Sequence, residues 1–535
     1  MNDPLVVVGS GASGLHFAVT ALEKGRRVTL LDVGHAREQP VLPDADLAGV
    51  KARHADPFAY FLGADFGSLI LPGHDGEYYG FPPGKEYVFR QTGGVTARAR
   101  GFAPLFSFAT GGLAEAWTGG SYTFNDADLR EFPFDFAEFA PWYERVARRI
   151  GVSGTADDLA PFLPPHDGLQ PPLDLDGHSA ALLDAYAARR ERMNTRHGLY
   201  LGRARSAVLS RPLADRPACD RLGRCLWGCP TDAFYTPSVT LRALRAHPAF
   251  TYVPGVRVEH FTCGDGGRIA RVHATDIATG AARSFETGTL VLAAGTLCTA
   301  KIVLDSLRRA GAGDVALAGL SDNRQVMMPF VTLSRIGHAH EPRSFQYHQL
   351  ALALTAEDPF ENVHGLVTTL KTALVHPVVQ SIPTSLGTAL RAFRDVRAAL
   401  ALLNVNFPDR RRPGNRVTLE ADGDRTRLVV EYAPPPGEAE RIQATLARLR
   451  GALRALGCIA PRGMVHVRPM GASVHYTGTL PMQATPAPFT TDATCRVRDF
   501  ENLWVADGST FPALPAKNLT FTLMANATRI AELCA

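Results

Sequence analysis

Four apolar residues, Leu5 to Val8, run straight into Gly9-Ser10-Gly11-Ala12-Ser13-Gly14. A short continuous apolar run suits a strand buried on both faces of a parallel sheet. Leu15 to Lys24 then reads as a helix, with Gly25 placed to end it. Val28 to Leu31 is a second apolar run and closes on Asp32. Strand, glycine loop, helix, strand and acid at this spacing describe a βαβ unit that binds a dinucleotide. Gly9 permits the tight turn, Gly11 lets backbone approach a pyrophosphate, and Gly14 lets helix and strand pack closely. Ser10 and Ala12 complete the loop at a helix N-terminus, whose free N–H groups and partial positive charge favour phosphate. Asp32 can accept hydrogen bonds from the adenosine ribose hydroxyls.

The loop alone does not separate FAD from NAD. Three later segments favour FAD, and they fall in chain order. Val256-Arg257-Val258 resembles the segment that contacts adenine in two-part FAD folds. Thr289 to Ala293 is another buried strand and runs into Ala294-Gly295, resembling the strand that passes beneath the dinucleotide. Leu503-Trp504-Val505 precedes Asp507-Gly508, which resembles the late motif whose acid binds the ribityl or pyrophosphate region.

The last hundred residues add His475-Tyr476-Thr477-Gly478-Thr479 and Pro515-Ala516-Lys517-Asn518-Leu519-Thr520. Together with the N-terminal loop they resemble the two ends of a GMC (glucose–methanol–choline) flavin oxidoreductase. The resemblance implies that His475 and Asn518 sit over the flavin ring. It also implies that Leu519 and Thr520 bring backbone to the flavin pyrimidine. Leu519 departs from the family's proline, and Leu480-Pro481-Met482 departs from its Arg-Met-Gly. Gly111 to Gly120, with Trp117, Gly119 and Gly120, resembles the family segment that runs along the flavin. Some pyranose oxidases carry a covalently attached histidine just before this tryptophan. Ala116 stands there here, so the expectation is non-covalent FAD.

Oxidising an alcohol removes a hydroxyl proton and a hydride from one carbon, and the cofactor handles the hydride. The protein must supply a base and a hydrogen-bonding partner for the oxygen. Histidine suits the base because its pKa lies near neutrality. The chain has 17 histidines. His475 is singled out by its neighbours.

Three of the eight cysteines, Cys219, Cys225 and Cys229, lie within eleven residues around Gly223 and Gly228. The Cys-x3-Cys-Pro ending is similar to ferredoxin ligation. The spacing also resembles the [3Fe–4S] site of bacterial FAD glucose dehydrogenases. Three readings stay open: a [3Fe–4S] cluster passing electrons onward, a cluster-free loop of buried thiols, and zinc, which wants four ligands.

The remaining expectations concern the whole chain. Its 56 basic and 52 acidic residues give a net charge of +4, too even to suggest nucleic acid. Met1 to Pro4 carry no basic leader, and no long uncharged apolar run suggests a membrane span. The cytoplasm is the default expectation. Beyond about Asp322 the glycine motifs stop, and 345–354, 402–407, 416–419 and 427–432 read as strands, with Gly423 as a turn. Residues 386–403 show helical spacing, the wider apolar stretch is 363–403, and Arg410-Arg411-Arg412 reads as a solvated turn.

The expected fold is α/β: a Rossmann-like FAD-binding domain with an inserted α+β substrate domain built on an antiparallel sheet. FAD-binding parts span 1–160, 206–320 and 465–535, and substrate-domain parts span 161–205 and 321–464. The expected function is oxidation of an alcohol or sugar hydroxyl to a carbonyl. The acceptor is a protein, a quinone or oxygen, with a dehydrogenase favoured over an oxidase. The rivals are other chemistry on the same fold, such as a lyase or natural-product tailoring oxidation, and a GDI-like escort protein.

Overall fold

The computed structural model describes residues 3–42, 45–69, 77, 81–371 and 375–534. Met1-Asn2 and residues 372–374 of the apolar stretch 363–403 lie outside the described residues.

The βαβ unit forms as its residues dictate. The strand Leu5–Val8 pairs in parallel with Val28–Leu31 on one side and Thr289–Leu292 on the other. Among the described residues five parallel strands make this sheet, in the order Leu503–Val505, Thr289–Leu292, Leu5–Val8, Val28–Leu31, Phe250–Val253. The helix Ala12–Glu23 packs on it, and Gly25 follows at φ +78°. The C-terminal helix Thr520–Cys534 lies against that first helix. The two ends of the chain therefore share one apolar core, which includes Leu15, Phe17, Ala527 and Ile530.

The second large sheet is antiparallel. Its main path runs Cys458–Ile459, Arg324–Thr332, Leu400–Phe407, Val363–Thr369, Leu350–Leu354, Leu199–Arg203. The two-residue period of its strands separates two faces. Val326, Met328, Phe330, Leu403 and Val405 point to one face and meet Ile442, Leu446 and Leu449 of the helix Glu438–Ala455. Gln325, Met327, Leu402, Asn404 and Thr368 alternate with them and face the dinucleotide sheet across a cavity.

Three local expectations change. The strand expected at 345–354 begins at Leu350, because Phe345 and Tyr347 join an aromatic cluster and Gln346, His348 and Gln349 bond to Lys371, Thr118 and Asp176 of other segments. The helical spacing at 386–403 gives a helix over Leu386–Val396 and a 3-10 turn over Arg397–Ala399; Leu400–Phe407 is a central strand, where pairing on both edges outweighs the helical pattern at 400–403. Arg410-Arg411-Arg412 is no solvated turn. Arg411 donates to Gly478 O at 2.9 Å and Ala318 O at 3.0 Å, Arg412 pairs with Asp409 at 2.7 Å, and Arg410 pairs with Glu131 at 2.5 Å.

Candidate active site

Between the sheets lies a cavity of about 500 Å³. Its walls include Gly9, Ser10, Gly11, Ala12 and Asp32 from the first βαβ unit, and Val258, Ala294 and Gly295 from the middle of the chain. Trp117 and Gly120 come from the glycine-rich loop, and His475, Asp507, Gly508, Asn518, Leu519 and Thr520 from the C-terminal part. Gly14 and Gly119 stand behind the wall. A Cβ on Gly14 would lie 2.0 Å from Gly9 O, so its bareness serves helix–strand packing; Gly119 turns at φ +76° against Phe234.

The dinucleotide end fits FAD. Gly11 begins the helix without a side-chain cap, so the first N–H groups are free for an anion. A Cβ on Gly9 would meet Ala293 O at 2.5 Å, whereas one on Gly11 meets nothing described within 4 Å. The space before Gly11 is thus open where a pyrophosphate would need it. Ser10 Oγ donates to Asp32 and accepts from Gly111 N at 2.9 Å, tying the glycine loop to the flavin-facing loop. Burial raises the Asp32 carboxyl to about 6, against the bonds from Ser10 and Tyr252 that favour its charge. Asp507 accepts from Gly295 N at 3.0 Å, Thr299 Oγ1 at 2.5 Å and Ser509 N at 3.0 Å. It lines the cavity and also fixes the start of the helix Thr296–Arg309.

At the other end, His475 and Asn518 meet, although 42 residues lie between them. Asn518 Nδ2 is 3.5 Å from His475 Nε2, a long contact, and both residues line the cavity. The backbone N of His475 donates to Ser473 Oγ at 3.1 Å and Asp322 Oδ1 at 3.3 Å. His475 Nδ1 is 3.0 Å from Asn323 Oδ1. Val474, just before it, has φ +58°, a conformation in which a β-branched residue is strained by about 1–3 kcal/mol. Burial, then the charge of Arg468, lowers the His475 pKa to about 4, so the ring is neutral at ordinary pH. Asp322 behind it is pushed up to about 7 by burial.

The antiparallel sheet supplies polar groups that sequence reading missed. Gln325, Thr368, Asn404 and His348 face this end of the cavity. His348 bonds Thr368 at 2.8 Å and Thr118 at 3.1 Å, and burial lowers its pKa to about 4. Among the described residues Asn404 Oδ1 and Asn518 Oδ1 are buried without a hydrogen-bond partner. Such atoms are rare in native proteins and need a reason, and a ligand supplies one. The signal was present: Asn404 and Asn406 alternate with Leu403, Val405 and Phe407 in a strand with buried residues on both faces. Asn323 had no comparable signal.

The cysteine trio, for which three readings were open, lies in a loop that packs on aromatic rings. Gly223 and Gly228, at φ +67° and +113°, fold their loop so that Cys219, Cys225 and Cys229 pack around Val208, Phe234, Phe345 and Tyr347. Cys229 Sγ accepts from Phe234 N at 3.5 Å. Among the described residues no three His, Cys, Asp or Glu side chains are arranged to hold a metal ion. The trio behaves as apolar packing, as buried thiols commonly do. Among the described residues no helix is long and apolar enough to cross a membrane.

A dinucleotide cradle facing a neutral histidine and an asparagine defines a flavin-dependent oxidoreductase. A family model described as GMC oxidoreductase matches residues 411–527. Over this C-terminal part the chain is similar to GMC oxidoreductases. It is similar to 6'''-hydroxyparomomycin C oxidase of Streptomyces lividus, with 26% identity over 98% of this chain and 89% of that one. It is also similar to paromamine 6'-oxidase of Streptomyces fradiae, with 25% identity over 99% and 90%. Among solved structures, pyridoxine 4-oxidase from Mesorbium loti matches with a TM-score of 0.61 at 16% identity, over 100% of this chain and 99% of that one. Formate oxidase of Aspergillus oryzae RIB40 matches with a TM-score of 0.61 at 12% identity, over 99% and 97%. Those two likenesses bear on the fold alone.

Proposed function

We propose that the protein oxidises a hydroxyl of an aminoglycoside-type amino sugar to a carbonyl, with non-covalently bound FAD and dioxygen as final acceptor. The observation that carries this is the convergence of neutral His475 and Asn518 on the cavity opposite the dinucleotide cradle. Bound FAD supplies the hydride acceptor. His475 Nε2 takes the hydroxyl proton as the carbon gives up its hydride, and the C=O bond forms. Asn518 holds the alcohol oxygen through an amide that carries no charge at either stage. Gln325, Thr368, Asn404 and His348 offer neutral hydrogen bonds to the other hydroxyls of a sugar ring.

The two curated relatives are named as oxidases, and this supports oxygen over a separate acceptor. Ala116 before Trp117 supports non-covalent attachment. Purified yellow protein should release FAD on acid precipitation. Anaerobic paromamine should bleach the flavin, and in air it should give hydrogen peroxide and a product two hydrogens lighter. Lasting yellow colour with paromamine and a panel of related amino sugars overturns the substrate class.

A second reading, an iron–sulfur dehydrogenase, is favoured by one observation. The cysteine loop backs the cavity wall at Leu226 and Tyr347. Iron in anaerobically prepared protein, lost together with turnover in Cys225→Ser, would establish it over the oxidase.

A further inference from the structure

Asn323 stands immediately before the strand Arg324–Thr332 and is only 1% exposed. Its amide touches three separate segments. Nδ2 donates to Phe407 O at 2.9 Å, at the end of the neighbouring strand, and to Pro515 O at 3.0 Å, in the loop that carries Asn518. Oδ1 faces His475 Nδ1 at 3.0 Å.

The two sides of an amide are told apart by their partners. Carbonyl oxygens can only accept, so the NH₂ group must face Phe407 and Pro515. The oxygen must therefore face His475, and an oxygen there can only accept. We propose that Asn323 is a positioning residue that fixes the His475 tautomer: Nδ1 carries the proton and donates a hydrogen bond to Asn323 Oδ1, leaving Nε2 unprotonated at the cavity, where its lone pair meets only the long contact from Asn518 Nδ2 at 3.5 Å. This rests on the reading of His475 as the base. A base needs an available, unprotonated lone pair at the atom that meets the alcohol, and the other tautomer would present N–H there. After proton transfer the imidazolium keeps its Nδ1–H bond to the same oxygen, so the ring need not turn.

The same amide also sets distance. Its bond to Pro515 O anchors the loop that brings Asn518 to His475, so one buried residue ties the base, its partner and the substrate sheet together. The charged groups around the ring do not duplicate this. Asp322 accepts from the His475 backbone N and not from the ring. Asp409 bonds Asp322 N, Arg412 and Tyr432, and Lys517 turns its ammonium to Asp128. Arg468, whose guanidinium pairs with Glu77, adds positive charge and further favours the neutral ring. His348 bonds Thr368 of the antiparallel sheet and Thr118 of the glycine-rich loop.

The test uses FAD-loaded enzyme labelled with ¹⁵N-histidine, with His475→Gln identifying the His475 signals. Long-range proton–nitrogen spectra distinguish the two tautomers without substrate. The expected result is protonated Nδ1 in the wild type and a mixed or reversed pattern in Asn323→Leu. Protonated Nε2 in the wild type, or an unchanged pattern in Asn323→Leu, overturns the proposal.

A kinetic arm uses paromamine as the probe and retained FAD absorbance as the check on folding. Asn323→Leu should reduce flavin about 10–100-fold more slowly, the range seen when a metal-bound histidine loses the partner of its other nitrogen. Asn323→Asp keeps an acceptor for Nδ1. It should react faster than Asn323→Leu, with its acid limb moved to higher pH. A purely structural role requires the reverse order, since a buried carboxylate would face two carbonyl oxygens, and that order overturns the proposal. The base reading fails separately, on wild-type flavin reduction by His475→Ala.

Discussion

His475 takes its character from burial. A histidine in water is half-protonated near pH 6.5. Here burial, then Arg468, holds the value near 4. The sign follows directly: above about pH 4 the ring is neutral and can accept a proton, and below it the ring is already charged. The rate of flavin reduction should therefore stay flat from pH 6.5 down to about 5 and fall only below that. His475→Ala should slow reduction by about 10²-fold or more with FAD retained and should lose this acid limb, as stopped-flow traces across pH will read. Asn518→Ala should slow it less, because asparagine orients the oxygen without moving a proton.

At the scale of elements, the glycines of the first loop divide into two kinds. Gly14 is bare because the backbone of Gly9 occupies the place of its Cβ. Gly14→Ala should lower the stability of apo and FAD-loaded protein alike, by about 1–3 kcal/mol of overpacking. Gly11 has an ordinary φ of −64° and open space before it. Gly11→Ala should leave the melting of the apoprotein within about 0.5 kcal/mol of wild type while weakening FAD retention. Paired thermal melts with and without FAD separate the two. The arginine turn offers another case. Arg411 satisfies carbonyls of two distant segments, so Arg411→Leu should cost about 1–3 kcal/mol, whereas a solvated turn would show almost no change.

For the whole molecule, the loop that carries Asn518 is secured by a buried ion pair. Lys517, beside Asn518, pairs with Asp128 and also donates to Thr123 O at 3.2 Å and Phe162 O at 2.5 Å. This joins the C-terminal loop to two early segments of the chain. Removing one partner leaves an uncompensated buried charge, so Lys517→Met should destabilise by about 3–5 kcal/mol in denaturant melts. Adding Asp128→Leu should recover part of that loss, because the stranded carboxylate goes with it. The cysteine loop behaves differently. Its thiols pack on aromatic rings, so Cys225→Ser should keep both FAD and turnover if the oxidase reading holds.

The sequence by itself determined the dinucleotide cradle, because every requirement there is local: a strand, a turn of bare glycines, a helix start and an acid lie within 28 residues of one another. It also picked out, in chain order, the segments that line the cavity. Helical spacing misled only at 400–403, where hydrogen bonds to strands on both sides decided the outcome; 402–407 had read as a strand. Charge misled at Arg410–Arg412, where burial against distant carbonyls recruited the guanidinium groups. Cysteine spacing could not show which way the thiols point, and that direction is set by Phe234, Phe345 and Tyr347, far away in sequence. Above all, only the tertiary structure brought Asn323 between His475, Phe407 and Pro515. A hydrogen bond between residues 152 positions apart leaves no pattern in either segment, because its geometry exists only when both sheets are packed.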